Sequence, residues 1–215
     1  MLQKLTYHPF GENALLMQWR QEISPEILQE IRTLTACLRH ELDAYIVDLI
    51  PAYASLTIVF DPSKITYTSL VERVNSLDVT RIELPEPKTW EIPVRYDSDD
   101  HPDVATLLQH CGITRNELVA IHTAVFYTVH FIGFLPGFLY LGGLDRRLHI
   151  PRKKVPDLWV PKGSVAIGGQ QTGIYPVQSP GGWYVIGRTE MEWFNPLKPP
   201  YCHIEPGDKV RFVSI

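Results

Sequence analysis

The period of the apolar residues changes along the chain, and the changes mark out its elements. Leu5–Phe10 and Ala14–Trp19 read as two strands joined at Gly11-Glu12-Asn13, a turn sequence. Ser24 is placed to cap a helix whose first residue is Pro25. Ile27, Ile31, Leu34 and Leu38 then fall on one helical stripe. Tyr45–Ile50 and Ser55–Phe60 predict a second strand pair around Pro51-Ala52-Tyr53. A second helix is expected from Thr66 to Ser76, with Leu70, Val71, Val74 and Leu77 facing inward. Strand, strand, helix, strand, strand, helix is the order of a small α+β domain, assigned to residues 1–84.

Residues 83–92, ELPEPKTWEI, combine two prolines with mixed charge and read as a linker. The second region, 85–215, opens with helices. Asp103–Cys111 ends at Gly112, a C-cap residue, and Thr114 with Glu117 forms a capping box for a helix reaching Ala124. Strands are expected at Val125–Ile132, Val165–Ile167, Trp183–Ile186 and Lys209–Ile215, the last fed by the turn Pro206-Gly207-Asp208. Short strands separated by Gly/Pro turns predict a barrel or sandwich.

Composition sharpens this division. Of the 14 glycines, 11 lie between residues 133 and 187. From Gly163 to Gly187 the chain runs for 25 residues without Asp, Glu, Lys, Arg or His, where usual composition would place roughly six charges. Seven of those residues are glycine, and Gln, Thr and Ser supply neutral hydrogen-bonding groups, a composition suited to binding loops on short strands. The net charge of −4 and a pI near 6.1, with no basic patch, argue against nucleic acid as a partner. Three scattered cysteines without a CxxC predict reduced thiols in a cytoplasm. The N-terminus has no apolar core of a signal peptide, and no apolar run approaches the ~20 residues of a membrane span.

Gly168 and Gly173 have the spacing of a phosphate loop, but Ile174 and Tyr175 follow where such a loop needs Lys and Ser/Thr. His122, late in a predicted helix, is a candidate acid or base near neutral pH; a buried, hydrogen-bonded structural histidine fits the same position. Arg152 and Arg188 each adjoin a Gly- or Pro-rich segment, and a planar guanidinium holds a carboxylate or phosphate through two donors. An ordinary surface arginine or an intrachain ion pair is the alternative. The eight histidines do not cluster with carboxylates at ligand spacing, so no metal is expected.

Several segments together resemble one family. They are Pro51-Ala52-Tyr53 with Ser55-Leu56, Ile92-Pro93-Val94 with Tyr96, His122, Gly133-Phe134-Leu135-Pro136-Gly137-Phe138, Tyr140-Leu141-Gly142-Gly143-Leu144 and Pro151-Arg152. They continue through Gly163-Ser164-Val165-Ala166-Ile167, Gln171-Thr172-Gly173-Ile174-Tyr175-Pro176, Ser179-Pro180-Gly181-Gly182-Trp183, Gly187-Arg188-Thr189 and Pro206-Gly207-Asp208. The chain resembles, over nearly its whole length, the family of 5-oxoprolinase B subunits, KipI-like sporulation-kinase inhibitors and proteins called allophanate hydrolase subunit 1. Lys162 stands where that family usually carries Ala in Val160-Pro161-Lys162-Gly163-Ser164.

The resemblance implies an N-terminal α+β domain followed by a C-terminal cyclophilin-like β-barrel. It implies a companion C-type subunit, a third subunit, and opening of the lactam of 5-oxoproline to glutamate coupled to ATP hydrolysis. On that reading His122 and Arg188 are the catalytic candidates, and Arg152, Gly168, Gly169, Gln171, Thr172 and Ser179 are candidates for binding the lactam. Whether this chain itself contacts ATP stays open. Inhibition of a sensor histidine kinase and a urea- or allophanate-related amide enzyme are the alternative functions.

Overall fold

The structure, a computed structural model, describes residues 5–97 and 101–215. The chain divides into two compact units, one up to Glu86 and one from Pro87 onward.

The first unit is built on local signals. β1 (Thr6–Pro9) and β2 (Ala14–Gln18) form the expected antiparallel pair around Gly11, whose φ is 68°. α1 (Pro25–Leu42) starts where Ser24 accepts hydrogen bonds from the amides of Glu26 and Ile27, a cap that contributes about 1 kcal/mol. β3 (Ile46–Pro51) and β4 (Ser55–Phe60) complete an antiparallel sheet in the order β1-β2-β4-β3. α2 (Tyr67–Asn75) follows the Thr66 cap. The stripe Ile27, Ile31, Leu34 and Leu38 is buried against Leu15, Met17, Leu56 and Ile58 of the sheet, joined by Leu70 and Val74 of α2. Val71 and Leu77 pack partly buried at its margin.

The second unit begins with β5 (Thr89–Tyr96), and here the linker expectation for residues 83–92 is corrected: Thr89–Ile92 is barrel strand. Two features hold it there. β5 runs parallel to β13 (Lys209–Ser214) from Thr89↔Lys209 to Val94↔Ser214. Asp208 also accepts hydrogen bonds from the Lys88 amide at 2.9 Å and the Trp90 indole at 2.8 Å. The prolines and charges of this segment disguised the burial of Ile92, Val94 and Tyr96 on one face.

α3 (Pro102–Cys111) ends on Gly112 at φ 66°, and α4 (Arg115–Thr123) carries the Thr114–Glu117 capping box. The remaining strands are β6 (Tyr127–Ile132), β7 (Leu139–Gly142), β8 (Asp157–Val160), β9 (Ser164–Gly168), β10 (Gln171–Ile174), β11 (Ser179–Gly181) and β12 (Tyr184–Arg188). Seven strands close a barrel in the order β10-β7-β6-β13-β5-β12-β9, and β8 with β11 forms a separate ribbon. The barrel core includes Ile92, Val94, Tyr127, Leu139, Leu141, Val165, Ile167, Ile174, Ile186 and Phe212. α3 adds Val104 and Leu107 to it, and α4 adds Leu118 and Ile121.

Candidate functional site

The neutral, glycine-rich stretch forms wall rather than binding loops. Gly168 to Gln171 is a tight β9–β10 turn with Gly169 at φ 66°, followed by strand and not by a helix N-terminus. With a side-chain period of two, the wall has two faces. Val165, Ile167, Ile174 and Ile186 enter the barrel core. Ala166, Tyr175, Trp183 and Val185 join Phe138 and Val160 in a separate cluster on the other face, with Leu135 and Tyr140 against it.

Glycine is what lets rings lie on that outer face. A Cβ on Gly168 would stand 2.5 Å from the Trp183 ring, and one on Gly173 would stand 2.7 Å from the Leu139 carbonyl oxygen and 3.0 Å from Trp183. The rings meet edge to face: Phe138 with Tyr175 at 4.9 Å and with Trp183 at 5.5 Å, and Tyr140 with Trp183 at 5.7 Å. Tyr140 also stacks on Phe131 at 4.2 Å. Arg152 is exposed, and its guanidinium carbon lies 5.6 Å from the centre of the Trp183 ring. Burial pushes the Tyr175 phenol up to about 12, with the nearby Arg152 charge acting weakly the other way. The same two opposing causes act on Tyr140, whose pKa is raised.

Arg152 is held by its neighbour. The Lys153 amide donates to the Gly182 carbonyl at 2.8 Å, and its ammonium pairs with Asp103 at 2.5 Å and with Asp157. Burial works against the Lys153 charge, but hydrogen bonds to Asp103 and Asp157 outweigh it and leave the pKa raised. Asp103 also accepts from the Val185 amide at 2.8 Å, tying α3 to β12. Sequence reasoning missed this trio. Asp103 lies in the first turn of a helix, where an acidic residue is ordinary, and Lys153 lies 50 residues away.

His122 and Thr172 are brought together on the inner face. His122 is fully buried. Its Nε2 lies 3.0 Å from the Thr172 hydroxyl, which in turn lies 3.0 Å from the Ala166 carbonyl oxygen. A carbonyl only accepts, so the single Thr172 proton goes to Ala166, and Thr172 accepts from His122 Nε2–H. Nδ1 is then the acceptor for the Tyr96 hydroxyl at 2.7 Å. The Tyr127 hydroxyl donates to the His122 carbonyl at 2.9 Å, and the imidazole stacks on Phe212 at 4.5 Å. Burial lowers the His122 pKa to about 3, which keeps the ring neutral. His122, expected in a catalytic role, and Thr172, expected in a binding role, form a closed, buried relay in this structure. No atom of either is open to a ligand, because the barrel core surrounds them.

The other expected residues separate as well. Gly169 exchanges both backbone hydrogen bonds with Ile150, so its amide is already used. Gly168 lies under Trp183, and Gln171, paired with Gly168, is buried beside it. Ser179 is buried at the start of β11 and donates to the Pro180 carbonyl at 3.1 Å. Arg188 is exposed at the far end of β12 from Trp183, where Nε donates to the Lys162 carbonyl at 3.1 Å. It lines a cleft of about 490 Å³ with Pro93, Arg95, Asp97, Glu190, Met191 and Ile215. Arg152 and Arg188 thus do not share a site. Among the described residues, no group of three His, Cys, Asp or Glu side chains is arranged to hold a metal, and no helix is long and apolar enough to cross a membrane.

Residues 5–204 match the family described as Carboxyltransferase domain, subdomain C and D. The chain is 36% identical over 213 residues to the 5-oxoprolinase B subunit of Escherichia coli O157:H7, covering 99% of this chain and 97% of that one. It is 32% identical over 218 residues to the protein of the same name from Bacillus subtilis (strain 168), covering 95% and 90%. The solved structure of TTHA0988 matches with a TM-score of 0.82 at 31% identity over 94% of this chain, which spans 39% of that longer polypeptide. The chain therefore belongs to the carboxyltransferase-domain family, subdomain C and D, that includes the 5-oxoprolinase B subunits.

Proposed function

We propose that this chain is the B-type subunit of an ATP-dependent 5-oxoprolinase complex, which opens the lactam of 5-oxoproline to L-glutamate and acts only with its partner subunits. The observation that carries the reading is the 36% identity to the Escherichia coli protein over 99% of this chain and 97% of that one. The partners are a companion C-type subunit and a third subunit.

The chemistry explains the need for ATP. An unactivated lactam is a poor electrophile. Phosphorylating its oxygen with ATP makes the ring carbon electrophilic, water adds there, and the C–N bond breaks with the ring nitrogen leaving as the amine; a second water then hydrolyses the resulting acyl phosphate to glutamate and phosphate. The substrate is a small, flat ring bearing one carboxylate. On the outer barrel face, the half-buried Tyr140 ring, backed by the buried Trp183, lies near the fixed charge of Arg152. In the proposed arrangement Arg152 takes the carboxylate through a charge-assisted pair and the accessible part of the Tyr140 ring takes the lactam. Gln171 lies close by on the Gly168 floor and supplies neutral polarity. His122 takes no part in the chemistry, since a neutral, enclosed imidazole neither reaches the substrate nor exchanges protons with it.

Co-expression with the two partner subunits, purification of the complex, and measurement of glutamate released from 5-oxoproline with and without ATP test the reading. ATP-dependent glutamate release supports it, and an assembled complex that makes no glutamate overturns it. In an active complex, Arg152→Ala raises KM for 5-oxoproline by about tenfold or more.

A further inference from the structure

Two arginines stand directly opposite each other across adjacent strands of the barrel. Arg188 of β12 pairs in register with Arg95 of β5. Like charges placed opposite each other in an antiparallel pair destabilise a sheet. The contrast lies on the same strand. Glu91, four residues earlier on β5, faces Arg211 of β13 and forms an ion pair of 3.8 Å with it. At Arg95 and Arg188 the sheet carries the repulsion instead.

Both arginines are exposed, and neither guanidinium is paired with a carboxylate among the described residues. Arg188 is oriented through Nε, which donates to the Lys162 carbonyl, so its two terminal amino groups remain for a ligand. Both side chains line the cleft of about 490 Å³. Pro93, Met191 and Ile215 give it an apolar side, and Asp97 and Glu190 add two carboxylates. The cleft has the volume of a small-molecule site, larger than a single oxyanion requires. Two guanidinium forks bind phosphate oxygens in pairs. Two carboxylates beside them oppose a bare anion but suit one that carries a hard divalent cation, which takes oxygen ligands. An apolar side accommodates a flat organic body. These features together describe a nucleotide polyphosphate accompanied by magnesium.

We propose that the Arg95–Arg188 cleft binds the phosphate groups of a magnesium nucleotide. The inference rests on the proposed function only in that ATP is the nucleotide such a complex consumes. The site is separate from the Arg152 face and its test uses binding, so the two readings fail independently.

The experiment is titration calorimetry on the chain with MgATP, inorganic phosphate and adenosine in turn, at fixed ionic strength. The expected result is saturable MgATP binding, weaker phosphate binding and none for adenosine. Arg95→Ala and Arg188→Ala each weaken MgATP by about tenfold, and the double variant abolishes binding. Arg95→Lys, which keeps the charge but loses the fork, retains intermediate affinity. Arg20→Ala, in the first unit, binds as the parent does. Thermal melts confirm that the variants are folded, and Arg95→Lys keeps the test decisive if an alanine variant is not. Absence of MgATP binding, adenosine binding as tight as MgATP, phosphate binding as tight as MgATP, or a folded double variant that binds like the parent overturns the proposal. A complex inactive on 5-oxoproline whose B-type chain still binds MgATP through these arginines overturns the proposed function and leaves this site standing.

Discussion

The two faces of the wall made by β9, β10 and β12 are built from the same uncharged, glycine-rich stretch and do opposite things. On the inner face, Thr172 takes part in a relay from Tyr96 through His122 to Ala166 in which the polar groups are matched and enclosed. On the outer face, Gly168 and Gly173 make room for the Phe138–Tyr140–Tyr175–Trp183 ring cluster, at whose edge Arg152 remains exposed. Neutrality serves the first by avoiding an uncompensated charge in a low-dielectric core. It serves the second by letting the rings pack closely on the glycine floor, with one exposed cation at their edge. Lack of charge along a stretch is therefore not by itself a sign of a ligand site. The exposed guanidinium distinguishes the faces.

Four substitutions test that contrast, in descending order of effect on stability. Gly173→Val puts a side chain against the Leu139 carbonyl and both Trp183 and Phe138, so denaturant unfolding is expected to show a loss of at least about 3 kcal/mol. A loss below about 1 kcal/mol would show that the rings do not need the glycine floor.

His122→Leu leaves the Tyr96 hydroxyl without its acceptor and is expected to cost about 2–3 kcal/mol. It also changes the acid response. His122 is depressed to about 3 by burial, against about 6.5 in an unfolded chain. Below about pH 6.5 the unfolded chain takes up a proton that the folded chain refuses, so stability falls with pH, by up to about 1.4 kcal/mol per unit for one such group. His130, depressed to about 4 by burial and by Lys209, adds to the same window. Unfolding curves from pH 7 to pH 4.5 should show a shallower decline in the Leu variant. Parallel declines for parent and variant would contradict a neutral, enclosed His122.

Thr172→Val removes the hydroxyl that accepts from His122 and donates to Ala166 while nearly keeping its shape, with an expected loss of about 1–2 kcal/mol. A double-mutant cycle with His122→Leu should show coupling, and simple additivity would mean that the relay does not act as a unit. Arg152→Ala is expected to change stability by less than about 0.5 kcal/mol, as exposed positions do. Its effect belongs in KM for 5-oxoproline, and a destabilisation comparable to that of His122→Leu would make Arg152 a structural residue.

The first unit was legible because its signals are local. Ser24-Pro25, the stripe from Ile27 to Leu38 and the Gly11 turn each act within a few residues, and each element forms where they place it. In the second unit, Gly112 and the Thr114–Glu117 box were equally readable. The barrel strands were less so. β7, β8, β10 and β11 are three or four residues long, too short for a period to emerge, and the neutral, glycine-rich composition around β10 points to loops as readily as to strand. The first turn of β5 was hidden among prolines and charges, since its partner β13 lies about 120 residues away in the chain.

By itself, the sequence determined the α+β class, the local caps and turns, the uncharged stretch and the motifs by which the family is recognised. Only the tertiary structure decided which side of each strand is wet. That choice enclosed His122, left Arg152 beside Trp183, and set Arg188 opposite Arg95. The physical reason is that barrel closure fixes register between strands far apart in the chain, and register assigns each side chain to core or solvent.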